Sequence, residues 1–152
     1  MKKSHVLFAT LLSLGVCVSV FAQMGAKMKE KSLYERLGGK PAITAVVDDF
    51  VARAGSNMQV NFMRDGKFAN VDMNRLKMQL VDFICQATGG PERYTGRNMK
   101  QAHKGMKITN AEFDAIAADL AASLDKFKVP AKEKNELLAI VESTRRDIVE
   151  KK

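Results

Sequence analysis

Apolar residues recur along this chain at the spacing of one helix face and nowhere alternate over a useful length. That period restricts the chain to an all-α fold. Ile43, Val46, Val47, Phe50, Val51 and Ala54 run i, i+3, i+4, i+7, i+8, i+11, with Asp48, Asp49 and Arg53 on the other side. Leu76, Leu80, Phe83, Ile84 and Ala87 predict a second helix from about Asp72 to Thr88. Phe113, Ile116, Ala117, Leu120, Leu124 and Phe127 make a third face, and Leu137, Val141, Thr144 and Ile148 a fourth.

The punctuation agrees with these periods. Ser32-Leu33-Tyr34-Glu35 and Thr109-Asn110-Ala111-Glu112 have the spacing of capping boxes, in which a hydroxyl and a carboxylate satisfy each other's backbone amides. The first opens a short turn that stops at Gly38-Gly39, and Pro41 suits the first turn of the helix that follows. Gly55 to Asp72 reads as irregular, with Phe62 and Phe68 still to be buried. Gly89-Gly90-Pro91 ends the second helix, a short helix spans about Asn98–Lys104, and Val129-Pro130 separates the last two. Four main helices joined by short turns form one domain, residues 32–152.

The first 22 residues are of another kind. Lys2 and Lys3 precede an apolar stretch from Val6 to Phe21, and Val20-Phe21-Ala22 offers small residues where a signal peptidase cuts. The expected product is an exported protein, periplasmic or secreted, cleaved after Ala22, with residues 23–31 as a flexible linker. A membrane anchor is the alternative, but the run is shorter than the roughly 20 residues a span needs. Acylation at Cys17 is a third option, disfavoured by bulky Val16. No stable membrane insertion is expected after cleavage.

Cleavage removes His5 and Cys17, so the mature chain keeps one histidine, His103, and one cysteine, Cys85, with no internal disulfide possible. The whole chain carries a net charge of +8, but basic and acidic residues are interspersed. The charge reads as solubility, and no nucleic-acid partner is expected.

Most catalytic chemistry lacks its parts. There is no zinc-ligand spacing, no P-loop, no G-x-G-x-x-G and no nucleophile elbow. Cys85 lies in an apolar helix without an activating neighbour in sequence. A single histidine can still serve as the axial ligand of haem iron, whose porphyrin supplies the other four nitrogens. The apolar faces could wall such a slot, and Arg93, Arg97, Lys100 and Lys104 could meet the propionates. Without a C-x-x-C-H motif the haem would be non-covalent, haem b. A lone histidine on a short helix suits a surface residue with no ligand equally well.

The local sequence resembles a known family. Leu33-Tyr34-Glu35-Arg36-Leu37-Gly38-Gly39, Val47-Asp48-Asp49-Phe50, Arg75-Leu76-Lys77 and Thr88-Gly89-Gly90-Pro91-Glu92-Arg93-Tyr94-Thr95-Gly96 match it in order. Met99-Lys100-Gln101-Ala102-His103-Lys104-Gly105, leading to Ile108-Thr109, is the most specific piece. From Ser32 to about Val149 the chain is similar to the group 1 truncated globins, which implies a two-over-two helical sandwich around haem. The resemblance makes His103 the proximal iron ligand. It sets Phe62 on the haem face, with Met63 the competing choice. Leu76, Leu80 and Phe83 would face the haem from the distal helix, with Met99, Ile108 and Phe113 below or beside it. Tyr94 would occupy the turn before the proximal helix.

The departures bear on mechanism. Many such relatives hydrogen-bond oxygen through a tyrosine after the Asp-Phe pair and a glutamine on the distal helix; here those positions read Val51 and Leu80. The pocket is then apolar, which implies fast oxygen release and ready autoxidation. The loop after Arg64 could also swing Lys77 or Met78 toward the iron.

Reversible binding or transport of a diatomic gas, O₂, NO or CO, is the leading expectation. NO dioxygenation at the same iron needs an external electron donor, because the chain carries no reductase. Efficient peroxidase chemistry lacks a distal His or Arg. Haem storage and a haem-free helical interaction module complete the alternatives.

Overall fold

The computed structural model of the chain describes residues 30–62 and 70–151. The expected signal peptide and most of the linker lie outside the described residues, as do Met63 and Phe68.

Seven helices follow one another among the described residues: α1 (Leu33–Arg36), α2 (Gly39–Ser56), α3 (Met73–Ala87), α4 (Met99–His103), α5 (Asn110–Lys126), α6 (Ala131–Ser143) and α7 (Arg145–Ile148). Both capping boxes form. Glu35 Oε2 accepts from Ser32 N at 2.8 Å, and Glu112 Oε2 accepts from Thr109 N at 2.9 Å. Asp72 caps α3 by accepting from the amides of Asn74 and Arg75 at 3.0 and 3.1 Å. Gly38 and Gly39 turn the chain between α1 and α2 at φ 94° and 73°. A side chain in that left-handed region would cost about 1–2 kcal/mol per residue.

α2 packs against α3 on one side and α5 on the other, α5 packs against α6, and α4 against α7. Two helix pairs, α2/α3 and α5/α6, thus form the expected two-over-two sandwich. Its core is Ile43, Val46, Val47 and Val51 of α2, Val81, Ile84 and Cys85 of α3, Leu120 and Leu124 of α5, and Leu137 of α6. Polar fasteners tie the layers at their edges. Asp49 of α2 accepts from Ser123 Oγ of α5 at 2.8 Å and also holds Arg53 and Lys126. Arg36 of α1 pairs with Glu133 and Glu136 of α6. Tyr34 N donates to Thr88 O at 2.8 Å, so α1 is tied to the end of α3.

Four expectations from the sequence change. α2 runs on through Gly55 to Ser56, and the irregular segment begins at Asn57, whose Nδ2 donates to Asp119 at 2.8 Å. On α3 the buried residues are Val81, Ile84 and Cys85, while Ala87 is exposed and Leu76, Leu80 and Phe83 are half-buried. α3 therefore carries apolar side chains beyond its buried face: Leu80 and Phe83 pack partly buried against the core, and Phe83 also meets Tyr94 of the α3–α4 connection. The last stripe is divided at Thr144, where the amide and the hydroxyl both donate to Val141 O, at 2.9 and 2.7 Å. A side chain that competes for a helix carbonyl in this way bends the helix. Phe127, just past α5, is 42% exposed and so stands outside the core.

Candidate functional site

α4 is only five residues long. A helix of that length is not stable by itself, because nucleation costs more than one turn returns. It is held by Asn98, whose Oδ1 accepts from Gln101 N at 2.8 Å, and by its packing on α7. It carries His103, half-buried, at its C-terminal end.

The His103 ring has one defined partner: Nδ1 lies 2.8 Å from the carbonyl oxygen of Met99. A carbonyl only accepts, so the proton sits on Nδ1, and Nε2 carries the lone pair. That is the tautomer a metal-ligating imidazole adopts when the backbone fixes its outer nitrogen. Among the described residues no three His, Cys, Asp or Glu side chains form a metal-holding group. One nitrogen donor and no further ligands suit haem iron, where the porphyrin completes the set.

The half-buried apolar side chains of α3 stand at i, i+4 and i+7: Leu76, Leu80 and Phe83. Leu80, Phe83 and Phe62 pack against the core, and Val51 belongs to it at 4% exposure. Phe83 meets Tyr94 edge to face, with centroids 5.5 Å apart and planes at 76°. The Tyr94 amide donates to Gln86 Oε1 at 2.9 Å and its hydroxyl to Arg97 O at 2.7 Å. The connection from α3 to α4 is thus bound to α3 and leads in fixed geometry to the histidine. Met99 and Ile108, on either side of His103 in sequence, are half-buried. Phe113 is buried at 4% under the guanidinium of Arg145, 4.2 Å from its ring centroid. Arg93, Arg97, Lys100 and Lys104 are exposed.

Lys77 and Met78 take no part in this surface. Lys77 Nζ pairs with Asp48 Oδ1 at 2.9 Å, and Met78 is 60% exposed. Cys85 is fully buried, and burial, with the nearby Glu92 carboxylate, pushes its thiol up to about 12. It has no nucleophilic character at neutral pH. A cavity of about 140 Å³, lined by Leu37, Ile43, Ile84, Leu124, Val129, Leu137 and their apolar neighbours, contains none of the candidate site residues.

Periodicity gives no hint of three polar residues near the site. Gln86 holds the Tyr94 amide, and Gln79 keeps a buried Oε1 with no partner among the described residues. Glu150 Oε1 and Oε2 accept from the amides of Gly105 and Lys107, each at 2.7 Å, just beyond His103.

Comparison with known proteins agrees with this architecture. Residues 32–150 match the family model described as bacterial-like globin. A group 1 truncated hemoglobin of Tetrahymena pyriformis is 38% identical over 123 residues, 81% of this chain and 98% of that protein. A group 1 truncated hemoglobin of Mycolicibacterium paratuberculosis is 38% identical over 115 residues, 76% of this chain and 82% of its own. The crystal structure of the Tetrahymena pyriformis protein in its Fe(III) form superposes with a TM-score of 0.72, covering 78% of this chain and 98% of that one. Fold, family model and identity over most of the folded chain converge: the chain belongs to the bacterial-like globins, among the group 1 truncated hemoglobins.

Proposed function

We propose that the protein binds haem b non-covalently through His103 Nε2 and uses it to bind a diatomic gas reversibly. The observation that carries the proposal is the hydrogen bond from His103 Nδ1 to Met99 O, which leaves Nε2 as the free donor of a half-buried imidazole. When bound, haem supplies an iron with one open position for the gas. The chain supplies the rest. α3 offers Leu76, Leu80 and Phe83 as an apolar wall, and burial beside such a wall excludes water from the macrocycle. Exposed Arg93, Arg97, Lys100 and Lys104 are suited to the propionates at the solvent edge. Val51 and Leu80 offer no hydrogen to a bound gas, which favours rapid exchange over tight storage of oxygen.

The reading extends to location and partners. The amino-terminal 22 residues have the build of an export signal, so the folded domain acts in the periplasm or outside the cell. Among the described residues no helix is long and apolar enough to cross a membrane. Reduction of the iron then falls to an external electron donor.

Ferric, ferrous and CO-bound absorption spectra of the purified protein, beside His103→Ala, test the proposal. A Soret band that sharpens and shifts with CO, and is lost or altered in the variant, is the expected result. A protein that takes up no added haem overturns it, as does a variant with the same ferrous and CO spectra. Sequencing the amino terminus of the exported protein should find Gln23 first.

A further inference from the structure

The segment that follows His103 is held by the far end of the chain. Lys104 leaves the helix at ψ 127°, and two of the next three residues, Gly105 and Lys107, adopt φ 80° and 54°. Lys107 is one of two described non-glycine residues with positive φ, a conformation that persists only where its surroundings impose it. Those surroundings are Glu150. Its two carboxylate oxygens accept the amides of Gly105 and Lys107 at 2.7 Å each, a charged acceptor fitted into a nest of backbone donors. Ile108 O accepts from the amides of Glu150 and Lys151 at 2.9 and 3.1 Å, and Thr109 and Lys151 form a parallel bridge. Upstream of this clasp, Arg145 fastens α7 to the start of α5 through Asp114 at 2.6 Å and Asn110 at 3.2 Å.

We infer that Glu150 is a positioning residue for His103: its carboxylate fixes the turn at 104–107 and thereby the tilt of the imidazole toward the iron. The inference rests on the proposed haem ligation. α4 has too few residues to set that tilt alone, and its last residue is the ligand. The clasp supplies the missing constraint from 43 to 45 positions away in sequence. The carboxylate is held ionised by the same two amides, its affinity for a proton lying below the ordinary range, first because of Gly105 and then Lys107.

The test compares the wild type, Glu150→Gln and Glu150→Asp as haem-loaded full chains. The ferrous iron–histidine stretching band is read by resonance Raman spectroscopy. Amide exchange at Gly105 and Lys107 is read on the haem-free protein. In Glu150→Gln, exchange at the two amides should quicken about tenfold or more, as expected for local opening. The Soret band should persist while the iron–histidine band shifts or broadens, and Glu150→Asp should recover part of both effects. Faster exchange with an unmoved iron–histidine band overturns the inference alone, leaving Glu150 merely structural. Unchanged exchange also overturns it, because the clasp would then bear no load. A wild type with no iron–histidine band overturns the haem reading, and this inference with it.

Discussion

Replacing Gly96 with alanine should destabilise the fold chiefly through Tyr94, because the other side chain in reach is the far end of a flexible glutamine. A Cβ built on Gly96 falls inside van der Waals contact of Tyr94 Cζ and Oη and 2.6 Å from Gln79 Oε1. The tyrosine cannot swing aside freely, because its hydroxyl is bonded to Arg97 O at 2.7 Å and its ring meets Phe83. Displacing it forfeits an aromatic pair worth about 0.5–1.5 kcal/mol and a hydrogen bond of similar value, about 0.5–1.5 kcal/mol. Alanine also restricts the unfolded chain, which offsets about 0.4–1 kcal/mol. The net expectation is a loss of about 1–2 kcal/mol, or a fall in Tm of about 4–8 °C for a folded domain of roughly 120 residues. Urea and thermal unfolding of four proteins decide the matter: wild type, Gly96→Ala, Tyr94→Ala and the double variant. In the Tyr94→Ala background Gly96→Ala should keep only its unfolded-state gain of about 0.4–1 kcal/mol, so the cycle returns a coupling of about 1–3 kcal/mol, the sum of the two lost interactions. An equal cost in both backgrounds would refute the steric argument.

If haem binds as proposed, Leu80→Gln places a donor on α3 beside the bound gas, and a hydrogen bond to a charged or strongly polar partner is worth about 1.5–3 kcal/mol. Oxygen release, followed by flash photolysis or stopped flow, should slow by about tenfold to a hundredfold, and CO release should change far less. Asp49→Asn removes the negative charge, and one of the two acceptor oxygens, shared by Lys126, Arg53 and Ser123. These partners, Lys126 first, hold the folded carboxyl well below its ordinary range. Its contribution is therefore present above the unfolded carboxylate pKa of about 3.9 and lost as pH falls toward the folded value. The stability gap between wild type and Asp49→Asn should be flat from pH 5 to 7 and shrink below pH 4; a constant gap down to pH 2 would contradict the assignment. Cys85, buried with its thiol pushed up to about 12, should resist Ellman's reagent at pH 8 in the native protein and react at once in denaturant.

The helices are legible in the sequence because their signals are local. Ser32, Asp72 and Thr109 mark starts through side chains that cap amides within three residues, Pro130 marks one by breaking the helix before it, and α2 buries five of the six residues of its predicted face. α3 is less legible because it has two partners. A single stripe describes a helix with one buried face, whereas Val81 and Cys85 turn inward while Leu76, Leu80 and Phe83 form a second, half-buried face. Thr144 falls on the last stripe by its spacing, but its hydroxyl captures a carbonyl and ends the helix. The candidate site divides along the same line. His103 stands out in sequence because the expected mature chain has no other histidine. Gln86, Gln79 and Glu150 carry no mark of their own, since each acquires its role from groups 8 to 45 positions away or from burial.

The partner of His103 Nδ1 has an electronic consequence. A peptide carbonyl is a neutral acceptor and draws the ring proton only weakly, whereas a carboxylate would pull the imidazole toward imidazolate. An iron held at Nε2 therefore faces a neutral ligand with little negative charge to donate. Were haem bound there, such a ligand would stabilise the ferric state less than a carboxylate-paired imidazole would, and so would offset part of the autoxidation that the apolar pocket implies. It also gives little push toward splitting an O–O bond, the opposite of the thiolate case. One 2.8 Å contact inside a five-residue helix would thus incline a haem held at His103 toward keeping a gas intact.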